Sequence, residues 1–258
     1  MNTKSDDPTA EENTLPIYLI NLDRSSDRLQ SFYARNPSLS NVVRFPAVDG
    51  SQLSVQALQS SGLMVEALPY TKGALGLAMS HLHLWNRCIA EGNPLTVCED
   101  DAIFHPSFHN KMKKVIESLN NKWDIILWGW NFDSVCSFDM LPGCSPCAAL
   151  FDQQTLRQGI TAYQQLTVSP QLFRLHRAFG TICYSLSPQG AGKLKALTFP
   201  LKQLQVFFPI LNRHLPNNGI DIAMNAYYPQ LQAYVSFPPL VITENDHAIS
   251  TIQAPSAQ

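Results

Sequence analysis

The chain has no apolar run of the ~18 residues that a membrane-crossing helix needs, so no transmembrane segment is expected. It has no basic excess. Lys and Arg number 18 against 20 Asp and Glu, a formal net charge of −2. A nucleic-acid partner calls for a basic face that meets phosphate, so that class is set aside. Charged residues are scarce at 15%, yet hydrophobic ones reach 45% of 258 residues. That is enough for one large domain, or two small ones, with a real core. There is no Gly-rich phosphate loop, no internal repeat and no low-complexity tract. The opening residues, MNTKSDDPTAEENT, lack the basic start and apolar stretch of a signal peptide. Residues 1–14 read as a disordered tail, and 251–258 as a second one. Without a leader, the six cysteines default to reduced thiols, as in a cytoplasmic protein. Cys88 and Cys98 sit in apolar patterns and read as core. Cys144 and Cys147 form one CxxC with no second pair, a weak zinc signal.

What is present is a rhythm. PIYLINL at 16–22 reads as a nearly all-apolar strand of a sheet covered on both faces. A helix follows, with Ser25 or Ser26 as its cap. VVRFPAV at 42–48 reads as a second strand, against which Pro46 counts. SQLSVQALQSSG reads as a short helix. From Gly73 to Gly92, Leu75, Ala78, Met79, Leu82, Trp85, Cys88 and Ile89 recur at spacings of three and four, which predicts a helix. LTVCE at 95–99 is a strand, residues 105–120 a helix with Ser107 as cap, and WDIILWGW at 123–130 a buried strand. This alternation argues for an α/β domain with a mainly parallel central sheet flanked by helices. The pattern fades from 131 to 178. It returns at GTICYSLSPQGAGKLKAL, a strand then a helix with Ser187 as N-cap and Pro188 at its first position. GIDIAMNAYY reads as a short helix and VSFPPLVIT as an edge strand.

Glu99, Asp100 and Asp101 follow the strand at 95–99 directly. Parallel sheets bind ligands at the carboxyl ends of their strands, which is where these acids fall. Two readings stand side by side: a solvated acidic loop, or a site for a divalent cation. Mg²⁺ and Mn²⁺ take hard oxygen ligands and need only one or two protein carboxylates. Alternation along a strand would point Glu99 and Asp101 the same way and leave Asp100 to hold the loop.

INLDRSSDR, AVDG at 47–50, GALGLAMSH, CEDD and WDIILWG stand in one order. In content and order they resemble glycosyltransferase family 25. That family includes bacterial lipopolysaccharide and lipooligosaccharide galactosyl- and glucosyltransferases and the collagen galactosyltransferases. Its motifs run INLxRxxxR, AVDG, GEIGCxxSH and EDD. GTICYSLSPQGAGKL and GIDIAMN are similar to its later AYxLSxxGAxKL and xVDxxL elements. The resemblance implies a single GT-A-like domain over 15–250. Residues 15–130 would form the nucleotide-sugar half and 131–250 the acceptor side. It also implies a UDP-sugar donor, Mn²⁺ or Mg²⁺, and inversion at the anomeric carbon. By the same resemblance, Arg24, Arg28, Ser80, His81, Glu99 and Asp100 would serve the nucleotide. Asp101 and Glu99 would hold the metal, joined by Glu244 or His247. Asp221 is the first candidate base and Asp133 the second. For His81 a structural role stays open, and for Asp221 that of a helix cap. Two positions depart from the motif: Ala74 replaces its Glu and Leu77 its Cys. Ala74 keeps a second reading open, a degenerate transferase that only binds a nucleotide or glycan. The acceptor would be a glycan, a lipid-linked glycan or a protein. A lipid-linked acceptor would bring the chain to the inner membrane face, by weak peripheral contact at most.

Overall fold

A computed structural model of the chain describes residues 15–244. In chain order the first half runs β1 (Ile17–Asn21), α1 (Ser26–Arg35), β2 (Val42–Pro46), α2 (Val55–Ser60), α3 (Lys72–Glu91), β3 (Leu95–Glu99), β4 (Ala102–Phe104), α4 (Phe108–Ser118) and β5 (Ile125–Gly129). The second half runs β6 (Cys136–Leu141), β7 (Ser145–Ala149), α5 (Gln153–Gln158), α6 (Ile160–Gln165), β8 (Gln171–Arg177), β9 (Cys183–Leu186) and α7 (Pro188–Thr198). It closes with β10 (Gln205–Phe208), β11 (Arg213–Pro216), α8 (Ile220–Asn225), β12 (Ala233–Phe237) and β13 (Val241–Thr243).

Nine strands form one sheet in the order β2-β1-β3-β9-β5-β12-β8-β6-β7. β1 runs parallel to β2 and β3, and β12 parallel to β5. β9 is inserted antiparallel between β3 and β5, and β8, β6 and β7 continue as an antiparallel flank. The sheet is therefore mixed. A common strand direction prevails on the β2-to-β12 side, where helices make the crossovers. On the far side a hairpin replaces the helical crossover, and a hairpin can only join antiparallel strands.

The all-apolar strands serve two cores at once. On β5, Ile125 and Leu127 pack on one face with Leu82, Trp85 and Leu194 from α3 and α7. Ile126 and Trp128 pack on the other with Phe108 and Met112 of α4. Period-two alternation sends successive residues to opposite faces, so a doubly covered strand is mostly apolar, and the buried Thr96 and Ser185 of β3 and β9 hydrogen-bond to each other at 2.8 Å. In α3 the expected stripe is buried from Leu75 to Cys88, while Ile89 turns out 40% exposed. Gly92 ends the helix in the left-handed region at φ 65°. Ser187 caps α7 by accepting from the Gly190 amide, with Pro188 in the first turn.

One expectation for these strands is corrected. The VSFPPLVIT stretch is not an edge strand. β12 lies inside the sheet between β5 and β8, and β13 pairs with β4 in a separate two-stranded sheet. Pro238 and Pro239 fall between the two strands and interrupt neither ladder. Pro46 closes β2, the sheet's outer strand, where a missing N–H is tolerated.

Candidate active site

A cleft of about 850 Å³ opens where β1, β2, β3 and β5 end and the segment leading into β9 begins. Its floor depends on a glycine junction. A methyl built on Gly76 of α3 would collide with the Val48 carbonyl oxygen, and one on Gly50 with the carbonyl of Lys72. Only glycine lets the α3 backbone press this closely on the 48–50 turn. Ser80 locks the junction: its Oγ accepts from the Val48 amide at 2.8 Å and donates to the Gly76 carbonyl at 2.9 Å. AVDG and GALGLAMSH are thus one packed unit.

The three consecutive acids all line the cleft, and each is held from a different part of the chain. Asp100 is ion-paired to Arg28 and accepts from Asn21 Nδ2 at 2.8 Å. Glu99 accepts from Thr181 Oγ1 at 2.7 Å. Asp101 accepts from Thr243 Oγ1 at 2.9 Å, while its Oδ1 is buried without a hydrogen-bond partner. Asp100 and Asp101 occupy a turn between β3 and β4, so strand alternation does not orient them. Burial pushes the Glu99 carboxyl up to about 8, aided by the charge of Asp101 and opposed by Thr181. Burial also raises Asp101, against the pull of Arg28 and Thr243.

Asp221 lies in the first turn of α8 and also lines the cleft. Its Oδ2 accepts from the Gly180 amide at 2.9 Å. Burial raises its pKa, while the Gly180 and Ile222 amides oppose the shift. It is not the N-cap of α8; that position is Gly219.

The cleft's cations are mostly committed. Arg24 pairs with Asp49, Arg28 with Asp100, and Arg35 with Glu244 at 3.0 Å. Lys72, at the start of α3, has no ion pair among the described residues. Glu99, Asp101 and Asp221 have no ion-paired cation there either. Glu99 and Asp101 present hard oxygen donors, and the orphaned Asp101 Oδ1 is an acceptor with nothing to accept, so this pair suits a divalent cation. Among the described residues no third His, Cys, Asp or Glu joins them in a metal-ligating group. The expected additional ligand Glu244 instead faces Arg35, and His247 lies outside the described residues.

Three further expectations shift. Ser80 and His81 do not line the cleft; both are fully buried beneath it. His81 Nδ1 meets the Tyr184 hydroxyl at 2.8 Å, and burial drives its pKa down to about 3, so it stands as a neutral core histidine. Ser80 is spent on the frame, while His81 Nε2 is buried without a hydrogen-bond partner among the described residues. Asp133 does not line the cleft, although its neighbours Asn131 and Ser134 do. Asn21, Thr181, Thr243 and Lys72 went unnoticed as site residues. Asn21 had a signal, since it ends the INL strand beside the cleft. The threonines had none, because both stand far from the acids in sequence.

The result is an α/β domain with an acid-lined, ligand-sized cleft at the carboxyl ends of its parallel strands. The family model for glycosyltransferase family 25 (LPS biosynthesis protein) matches residues 14–208, and the chain belongs to that family. A glycosyltransferase 25 family member from Aedes aegypti is 32% identical over 125 residues, covering 44% of this chain and 21% of that protein. Procollagen galactosyltransferase 1 from Danio rerio is 28% identical over 129 residues, 44% of this chain and 21% of its own. The inactive glycosyltransferase 25 family member 3 of Homo sapiens is 26% identical over 250 residues, 90% of this chain and 37% of its own. The chain thus spans about a fifth to a little over a third of the length of these relatives. The crystal structure of A197 from STIV aligns with 93% of the chain at 10% identity and a TM-score of 0.39, too slight a likeness to carry an argument. Among the described residues no helix is long and apolar enough to cross a membrane.

Proposed function

We propose that this chain is a metal-dependent, inverting glycosyltransferase of GT-A-like fold. It moves a hexose, galactose ahead of glucose, from a UDP-sugar to an acceptor hydroxyl on a glycan such as lipopolysaccharide. The observation that carries the reading is the partition of charge in the cleft. Three of its basic side chains are each matched to a carboxylate, while Glu99, Asp101 and Asp221 have no ion-paired cation among the described residues. A diphosphate entering this acidic space calls for added positive charge. Glu99 and Asp101 would hold Mn²⁺ or Mg²⁺. When bound, the cation neutralises charge on the departing diphosphate oxygen as a Lewis acid.

The chain's own groups supply the rest. Lys72 offers a charge to phosphate without breaking an ion pair. Arg24 and Arg28 would reach phosphate only by releasing Asp49 and Asp100, so their first role is to brace the cleft. Asp221 is the general base for the acceptor hydroxyl: burial raises its proton affinity towards working pH, which favours proton transfer. The acceptor docks against segments after Asn131, where Phe179, Leu215 and Asn218 form the wall. The reading places the domain in the cytoplasm, at most in peripheral contact with the inner membrane face. The divisions proposed are 15–130 for the donor and 131–250 for the acceptor.

One observation favours a second reading, a binding module without turnover. Ala74 lines the cleft where the family motif has Glu, and three of the relatives carry the word inactive in their names.

The test is thermal unfolding with UDP, with and without Mn²⁺, followed by donor hydrolysis. A ligand at ~100 times its Kd adds about 2.7 kcal/mol of stability. Metal-dependent stabilisation with UDP-galactose hydrolysis supports the transferase, and stabilisation without hydrolysis supports the module. No response to any nucleoside diphosphate rejects the transferase and leaves the module as a glycan binder.

A further inference from the structure

We propose that Thr181 and Thr243 are positioning residues that decide which carboxylate oxygens of Glu99 and Asp101 face the cleft. The inference rests on the metal reading above and names residues beyond the acids themselves. Three neighbouring carboxylates are held in two different ways. Asp100 is held by a cation, Arg28, which cancels its charge. Glu99 and Asp101 are held by hydroxyls. A hydroxyl orients a carboxylate without neutralising it, and it has one proton to give. Each threonine therefore ties one oxygen and leaves the other.

Thr181 takes Oε1 of Glu99, and Oε2 has no hydrogen-bond partner among the described residues. Thr243 takes Oδ2 of Asp101, and Oδ1 is the orphaned buried acceptor. An unsatisfied buried polar atom destabilises a fold, more so when charged, so this arrangement is costly unless the oxygen has a use. The two donors are themselves well fixed. Thr243 is fully buried in β13, paired in register with Ala102 just after Asp101. Thr181 is 3% exposed, just before β9, and the carbonyl of its neighbour Ile182 accepts from the Glu99 amide. Threonine's branched Cβ restricts χ1, so each hydroxyl is held in direction as well as place. Two strands from the second half of the chain thereby aim the two acids of the first.

The test is Mn²⁺ affinity measured by electron paramagnetic resonance with UDP present, beside thermal unfolding of the ligand-free chain. The variants are Thr181→Val, Thr243→Val and the matching Thr→Ser pair. Losing an outer partner of a metal ligand typically costs 10–100-fold in affinity. We expect about tenfold or more from each valine and near-native affinity from each serine. Folded valine variants with native affinity overturn the proposal. Should a valine variant fail to fold, Thr181→Ala and Thr243→Ala take its place, and native affinity there overturns it equally. A native chain that binds no Mn²⁺ with UDP rejects the metal reading itself, and this proposal with it.

Discussion

The two halves of the chain reach the same cleft by different routes. Before Asn131, strands and helices alternate, strands end in register at the cleft, and the acids follow β3 directly. After it, the chain folds back through hairpins and a reversed strand. It contributes single side chains: Thr181, Asp221, Thr243 and Glu244. The first half builds a surface of charge, and the second half orients and closes it. The difference teaches where tolerance lies. The junction of α3 with the 48–50 turn admits no added atom, whereas β7 is partly exposed and, as the outer strand, borders no strand but β6.

The largest effect is expected at Asp101. Asp101→Asn should abolish metal-dependent stabilisation by UDP in a thermal scan. It should also change the pH dependence of the ligand-free chain. Glu99 has its pKa raised from 4.5 to about 8, so its burial as an anion opposes folding. For a raised acid the folded state holds the proton more tightly. Stability from this group is therefore full below the unfolded value and is lost as pH climbs through the folded one. Removing the neighbouring charge should stabilise the ligand-free variant relative to native at pH 8, with the gain shrinking towards pH 5. A variant no more stable at pH 8 than native would break the claim that the two acids work against each other.

Next in size is the glycine junction. Gly76→Ala forces a methyl into the Val48 carbonyl and should cost about 2–4 kcal/mol in urea unfolding. Near-native stability would mean that the 48–50 turn yields easily and that the first half is no more constrained than the second. Smaller is Arg28→Met, which strips Asp100 of its cation. A loss of about 2 kcal/mol is expected, since a largely buried carboxylate keeps only Asn21 among the described residues. Smallest is Cys144→Ser at the exposed β6–β7 turn, expected within about 0.5 kcal/mol of native. A larger loss there would erase the contrast between the halves.

Much of the first half was legible because its signals are local. The α3 stripe, the Gly92 stop and the apolar runs of β1 and β5 are set by residues a few positions apart. The 131–178 stretch was not, because β7 is a partly exposed outer strand and β6 is buried only at its start. Such strands show neither a continuous apolar run nor a clean alternation. His81 shows what a motif leaves open: the sequence allows a site role or a structural one, and the side chain is buried against Tyr184.

By itself, the sequence determined the alternating α/β half, the acids at the end of β3 and the family, since each rests on short-range periodicity or on motifs in fixed order. Only the tertiary structure decided that β9 enters the sheet reversed and that Arg24, Arg28 and Arg35 of the cleft are spent on carboxylates. It alone brought the threonine hydroxyls 82 and 142 positions away to Glu99 and Asp101. The reason is physical: hydrogen bonds and ion pairs depend on distance in space, and a linear pattern does not carry the distance between side chains so far apart along the chain.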